Sequence, residues 1–226
     1  MRDYRKSVYA LVAVAAVNLV AMLGMISSLP ALVPVHFNIR FEVDGMGTPW
    51  MLMIFPAITM AFAISVAIEQ KIRGRAYANN KPLSIFSCCF VALFIALGWV
   101  LYAMCSTGAQ MGDVVSMPVD LVLGLGFSAL FIVLGNYLPT IKQNRTFGIR
   151  VRATLEDAEC WLRTHRFGGV AYVTGGAFAA IVVLAGYFLN LKWLEFAGLL
   201  TGVLGSNAVI LIYAVRQGKK IKEGSK

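Results

Sequence analysis

VYALVAVAAVNLVAMLGMISSL, residues 8–29, carries no charged side chain from end to end. Its apolar residues run continuously. They do not recur every second position, as on a half-buried strand, nor every third to fourth, as on a one-sided helix. A hydrocarbon core about 30 Å thick is crossed by roughly 20 such residues in a helix, and a helix in lipid satisfies its own backbone polar groups. The stretch therefore predicts a transmembrane span. Its apolar run exceeds the roughly 7–15 residues of a secretory leader, and no small-x-small cleavage site precedes Pro30, so the span is expected to be retained.

Five further stretches read the same way: Trp50–Ile68, Ile85–Cys105, Pro118–Leu138, Phe167–Leu189 and Trp193–Val215. Asp120 and Glu195 are the only charges in them, each within about a turn of its segment's start. Apolar residues make up 59% of the chain and charged residues 14%, which excludes an ordinary water-soluble domain. The runs do not alternate, so a barrel is excluded too. The predicted fold class is an all-α integral membrane protein with six transmembrane helices. Gly198 and Gly202 form a GxxxG pair, and Gly175, Gly176 and Ala180 line the fifth span. Such small residues let helices approach closely in lipid; here they are expected to pack spans five and six within one chain.

Basic residues set the orientation, because loops kept inside the cell are rich in Lys and Arg. All but Arg40 and Lys192 of the 20 basic residues fall at the two termini or in the loops after spans two and four. Both termini are therefore expected in the cytoplasm, with the chain crossing the membrane repeatedly. The net charge of +9 is read as this topology signal, reinforced by anionic membrane lipids, and not as a nucleic-acid surface. Trp50, Tyr102, Tyr187 and Trp193 at the outer ends, and Tyr9, Tyr137 and Tyr213 at the inner ends, suit the membrane interfaces.

Little here points to catalysis. The four cysteines, Cys88, Cys89, Cys105 and Cys160, lack metal-ligand spacing. His36 and His165 are expected on opposite sides of the membrane, so no metal or other cofactor is expected. Neither Gly-x-Ser-x-Gly nor His-Glu-x-x-His occurs. A cluster of Glu156, Glu159, His165 and Arg166 is the only candidate acid–base group, and the chain is read as not an enzyme.

Two loops carry more information than topology requires. In the first, residues 30–49, the apolar Val35, Phe37, Ile39, Phe41 and Val43 alternate with His36, Asn38, Arg40 and Glu42. Period two suggests a short strand or an extended flap, with Asp44-Gly45 as a turn. The second, residues 139–166, begins at Pro139, which ends the fourth span. Thr154 with Asp157 resembles a capping box. Leu155, Ala158, Trp161, Leu162 and His165 then recur at helical spacing opposite Glu156, Glu159, Arg163 and Arg166. This predicts a cytoplasmic amphipathic helix with Trp161 in the membrane interface, running into span five.

GNYLPTIKQNRTFGIR, residues 135–150, followed by Glu159, Trp161 and THRFGG at 164–169, resembles the SdpI family of bacterial membrane proteins. The matching positions are Gly135, Asn136, Pro139, Asn144, Gly148, Ile149, Arg150, Thr154, Leu155, Glu159, Trp161, Thr164, His165 and Arg166. The earlier loop is similar to a module of the DUF1648 kind that often accompanies that family, at Pro34, Val35, His36, Phe37, Asn38, Asp44, Gly45 and Gly47. Residues 1–84 would be this N-terminal two-helix module and 85–226 a four-helix SdpI-like module. The chain departs from the family pattern at Val151-Arg152-Ala153, where Thr-Pro-Trp is usual, and at Phe41, where Gly is common. The resemblance implies an immunity protein and receptor. Its outer loop (Pro34, His36, Phe37, Asn38, Asp44, Gly45) would contact a secreted peptide toxin. Its cytoplasmic motif (Asn136, Pro139, Asn144, Gly148, Arg150, Glu159, Trp161, Thr164, His165, Arg166) would bind a cytoplasmic repressor or stabilise the bundle. A small transporter or ion-pathway protein is the alternative, with Asp120 and Glu195 as the charges it would use.

Overall fold

The computed structural model describes residues 4–38, 42–74, 79–114 and 119–224. Arg2, Ile39, Arg40, Phe41, Arg75, Pro118 and Lys226, and the side chains of Arg5, Asp120 and Lys222, lie outside the described residues. The elements in chain order are α1 (Tyr4–Met25), β1 (Val33–Phe37), β2 (Val43–Gly47), α2 (Ile54–Arg73), α3 (Asn80–Ser106), α4 (Val119–Tyr137), α5 (Arg152–Glu156), α6 (Ala158–Phe188), α7 (Lys192–Leu200) and α8 (Ser206–Gly224). A wide π turn, Thr201–Gly205, joins α7 to α8 without ending the rod.

Among the described residues, six helical rods are long and apolar enough to cross a membrane: Lys6–Ser28, Pro49–Arg73, Asn80–Ser106, Leu121–Thr140, Ala158–Phe188 and Lys192–Ile221. Large apolar side chains point outward from them. Val17 and Val20 are each 68% exposed, Ile181 67% and Phe188 76%. In water each such side chain would forgo about 1.5–3 kcal/mol of burial; hydrocarbon removes that deficit. The chain is a multi-pass membrane protein.

The contacts divide the chain into two compact units, 1–77 with 87–123 and 78–86 with 124–226. They interleave along the chain, where the modules expected from sequence are consecutive.

In the first unit α1 packs on α2, with Leu11, Ala15, Ala63 and Val91 forming one buried cluster. Asn18 lies deep in its span and accepts a 2.9 Å hydrogen bond from the Trp99 indole N–H. Helix α2 carries Lys71 and Arg73 in its last turn, favourable to the helix dipole, and stops at Gly74. That residue has φ of 76° and donates its N–H to Gln70 O at 3.0 Å, the left-handed end that glycine adopts at low cost.

In the second unit α6 turns back into α7 through Asn190, whose φ is 56°. The Leu191 N–H reaches Gly186 O at 2.8 Å, closing the turn. The sixth span then lies on α6 along a seam of buried residues at every fourth position: Gly198, Gly202, Ser206, Ile210, Ala214 and Gly218. A Cβ at Gly202 would stand 2.5 Å from Ala179 Cβ, and one at Gly198 would stand 2.6 Å from Val182 Cγ1. The GxxxG pair thus packs spans five and six within one chain, as the sequence predicts.

Candidate functional site

The residues singled out by sequence fall in two places, one in each unit. The first is a hairpin. β1 and β2 pair antiparallel, with Pro34 opposite Met46, His36 opposite Gly45, and Phe37 opposite Val43. The period-two pattern is therefore a strand and not a flap. Asp44-Gly45 is not the turn. Both residues lie inside β2, where the register slips beside His36, and the Asp-Gly signal marks a bulge. Beyond the strand ends, Asn38 and Glu42 tie β1 to β2. The Asn38 N–H donates to Glu42 O at 3.0 Å. The Asn38 amide group donates to Glu42 Oε2 at 2.7 Å, and its oxygen accepts from the Glu42 N–H at 3.2 Å.

Six predicted residues divide here by direction. Pro34 is buried, and its carbonyl accepts from the Cys105 thiol at 3.4 Å. Phe37 packs against buried Val43 and Met104. Gly45 gives His36 room, since a Cβ there would stand 2.9 Å from His36 Cβ. His36 and Asp44 face outward, their side chains 74% and 41% exposed, and meet at 2.5 Å between Nδ1 and Oδ1. Asn38 holds Glu42. The free edge of β2 is covered by the chain after α3: the Val43 N–H donates to Asp113 O at 2.9 Å, and the Gly112 N–H donates to Val43 O at 2.8 Å. Around this end stand Leu32, Trp50, Met51, Met111 and Val114, all exposed.

The second place is the loop after α4 and the start of α6. It corrects the expected amphipathic helix. The helical residues 152–165 do not form one helix along a membrane surface. They break at Asp157, whose φ of −134° and ψ of 126° end the five-residue α5. The Asp157 carboxylate then accepts the Cys160 N–H at 2.6 Å and caps α6. Thr154 and Asp157 are two separate caps, not one box: the Thr154 hydroxyl accepts the Val151 N–H at 3.1 Å. Span five consequently begins at Ala158 instead of Phe167. Trp161 is 2% exposed; it is buried in protein, not in the lipid interface.

What buries it is the loop. The Trp161 indole N–H donates to Ile141 O at 2.8 Å, and its rings pack with Leu138 and Ile141. His165, fully buried, stacks on Trp161 with centroids 4.0 Å apart and planes 17° off parallel. The Ile149 N–H donates to His165 Nε2 at 3.1 Å. That nitrogen therefore bears no proton, and Nδ1–H donates to Trp161 O, 2.9 Å away. One neutral tautomer meets both partners. The Thr154 hydroxyl donates to Ile149 O at 2.8 Å. Gly148, with φ of 112°, is where the loop presses on this stack. A Cβ there would stand 2.5 Å from His165 Nε2 and 3.2 Å from the Trp161 ring.

Asn144 folds the loop tip: its oxygen accepts the Thr146 and Phe147 N–H groups at 2.8 and 2.7 Å, and its amide donates to Lys142 O and Phe147 O at 2.8 and 2.9 Å. Pro139 sits at the α4 exit against Gly169, where a Cβ would approach its ring Cγ to 2.8 Å. Thr164 is buried beside Cys160. The remaining motif residues face outward. Asn136, Arg150, Glu159 and Arg166 are exposed; Glu159 pairs with Arg163 and Arg150 donates to Arg145 O at 2.8 Å.

Sequence reasoning passes over Asn79. It is 1% exposed and holds the Lys142 backbone by both groups, accepting its N–H at 2.7 Å and donating to its carbonyl at 2.9 Å. The only trace of it in the sequence is an Asn-Asn pair just before an apolar run. Among the described residues no three His, Cys, Asp or Glu side chains gather as a metal site would require.

Residues 140–215, which hold the loop and the helices it is latched to, match the SdpI/YfhL protein family. Residues 13–60, which include the hairpin, match a domain of unknown function, DUF1648. No curated protein and no solved structure matches the chain. Of the motif residues named from the sequence, Trp161, Thr164 and His165 are buried, Asn144 and Gly148 are half-buried, and Asn136, Arg150, Glu159 and Arg166 are exposed.

Proposed function

We propose that this chain is an immunity-type protein of the bacterial cytoplasmic membrane that protects its host from a secreted peptide toxin. The SdpI/YfhL match over 140–215 carries the reading. The distribution of Lys and Arg supports both termini on the cytoplasmic side, with the hairpin outside. His36 and Asp44 are the exposed polar pair of that hairpin, set among exposed apolar side chains, a mixture suited to an amphipathic peptide. The loop 138–151 would be the inner face, with Arg150 and Arg166 available to an acidic surface of a cytoplasmic repressor. Signal passage would require that toxin bind two packings of the spans unequally. No catalytic step is assigned.

The test is survival of toxin-sensitive bacteria expressing the chain. Protection by the wild type, lost in a His36→Ala/Asp44→Ala double variant that still inserts, is the expected result. Sensitivity of the wild-type strain despite normal insertion would reject the reading. Thiol labelling of single cysteines placed at Ser28 and Ser225 in whole cells tests the orientation: only the first is expected to react. A transporter reading has one observation in its favour, the 2% exposed Glu195, but its carboxylate lies 3.2 Å from Lys192 Nζ on the same helix. Ion flux into proteoliposomes that disappears in Glu195→Gln would favour it.

A further inference from the structure

A cavity of about 400 Å³ lies in the second unit, walled by α4, α6, α8 and the loop residues 146–151. Its size falls in the range of about 300–1,000 Å³ usual for ligand sites. Phe86, Leu134, Leu138, Ile210 and Leu211 make most of it apolar. Leu211 is 47% exposed, so this wall continues onto the outward, lipid-facing side of α8. The one polar cluster at depth needs nothing from a ligand. The Tyr172 hydroxyl donates to Asn207 Oδ1 at 2.8 Å, and the Asn207 amide donates to Val203 O at 2.8 Å.

Charge is present at one place only. Arg150 lines the cavity where the loop closes it, and no acidic side chain does. The Arg150 guanidinium has five N–H donors and gives one of them, from Nη1, to Arg145 O. Lys142 and Arg145 are exposed on the same loop. An occupant must therefore be apolar along its length and anionic at the end that reaches the loop. The bilayer around α4 and α8 supplies such molecules at high local concentration, and a guanidinium suits a phosphate diester.

We infer that this cavity is a binding site for an anionic phospholipid, its phosphate on Arg150 and one acyl chain between Leu134, Leu138 and Leu211. The experiment uses the full chain, purified in detergent, delipidated and mixed with phosphatidylglycerol or phosphatidylcholine, with occupancy read by native mass spectrometry. One phosphatidylglycerol is expected to bind in preference to phosphatidylcholine. Arg150→Gln should lower phosphatidylglycerol occupancy about fivefold, the worth of roughly one surface cation, and leave phosphatidylcholine unchanged. Leu134→Trp, which fills the apolar part, should lower both. Thermal unfolding of each variant shows that it is folded. Equal binding of the two lipids, undiminished phosphatidylglycerol in Arg150→Gln, or displacement of the lipid by inorganic phosphate alone would each overturn the assignment; the last would make it a free-anion site.

Discussion

The hairpin at 33–47 and the loop at 138–151 use similar residue types in opposite ways. Each is built around a histidine, His36 within the hairpin and His165, on α6, against the loop. In the hairpin, His36 is exposed and its Nδ1 meets the Asp44 carboxylate. Against the loop, His165 is buried and meets a backbone N–H and a backbone carbonyl, which leaves one neutral form. A shared motif residue is thus not by itself a contact residue. The buried histidine holds one chain segment against another; the exposed one pairs with a carboxylate at the surface of the hairpin.

The sharpest way to break this contrast is at Gly148. Gly148→Val should destabilise the protein by about 4 kcal/mol, combining a left-handed backbone with overpacking against His165, seen as a large fall in the thermal unfolding midpoint. His165→Ala comes next, at about 3 kcal/mol, because the Ile149 N–H is left buried without its acceptor. Trp161→Phe keeps the ring stack and removes only the bond to Ile141 O, so a loss of about 1 kcal/mol is expected. Asp44→Asn should change stability by no more than about 0.5 kcal/mol, since exposed pairs contribute little, while reducing protection in the survival assay. Were Asp44→Asn as damaging to stability as His165→Ala, the two regions would not differ in kind.

Most of the architecture was legible before any coordinates, because the bilayer imposes a length and a composition on each span that nothing else in the chain imitates. The site was legible only in part. Trp161 at helical spacing beside Leu155 and Leu162 looks like a residue turned to lipid, and periodicity does not tell lipid from protein as the apolar neighbour. What decides it is Ile141 O, twenty positions away in the chain, and no local pattern announces that carbonyl. Asp44-Gly45 misled for another reason: the dipeptide suits any place where the backbone departs from the regular ladder, so it serves a bulge as well as a turn. Asn18 and Asn207 each interrupt an apolar run, but their partners Trp99 and Tyr172 sit on other helices, out of reach of any local pattern.

The every-fourth-residue seam of the last span sets a geometric demand. Four residues of α-helix overshoot a full turn by about 40°, so a straight rod would carry Ala214 well around its circumference from Gly198. The π turn at Thr201–Gly205 takes more residues to go round once and winds part of that excess back. It acts as a phase corrector between the glycine half of the seam and the half that reaches Cys160 through Ala214 O. Deleting Val209, in the regular helix beyond this turn, would leave composition and hydropathy almost untouched, yet rotate everything after it by about 100°. This span should therefore tolerate conservative replacement along its length far better than the loss of one residue.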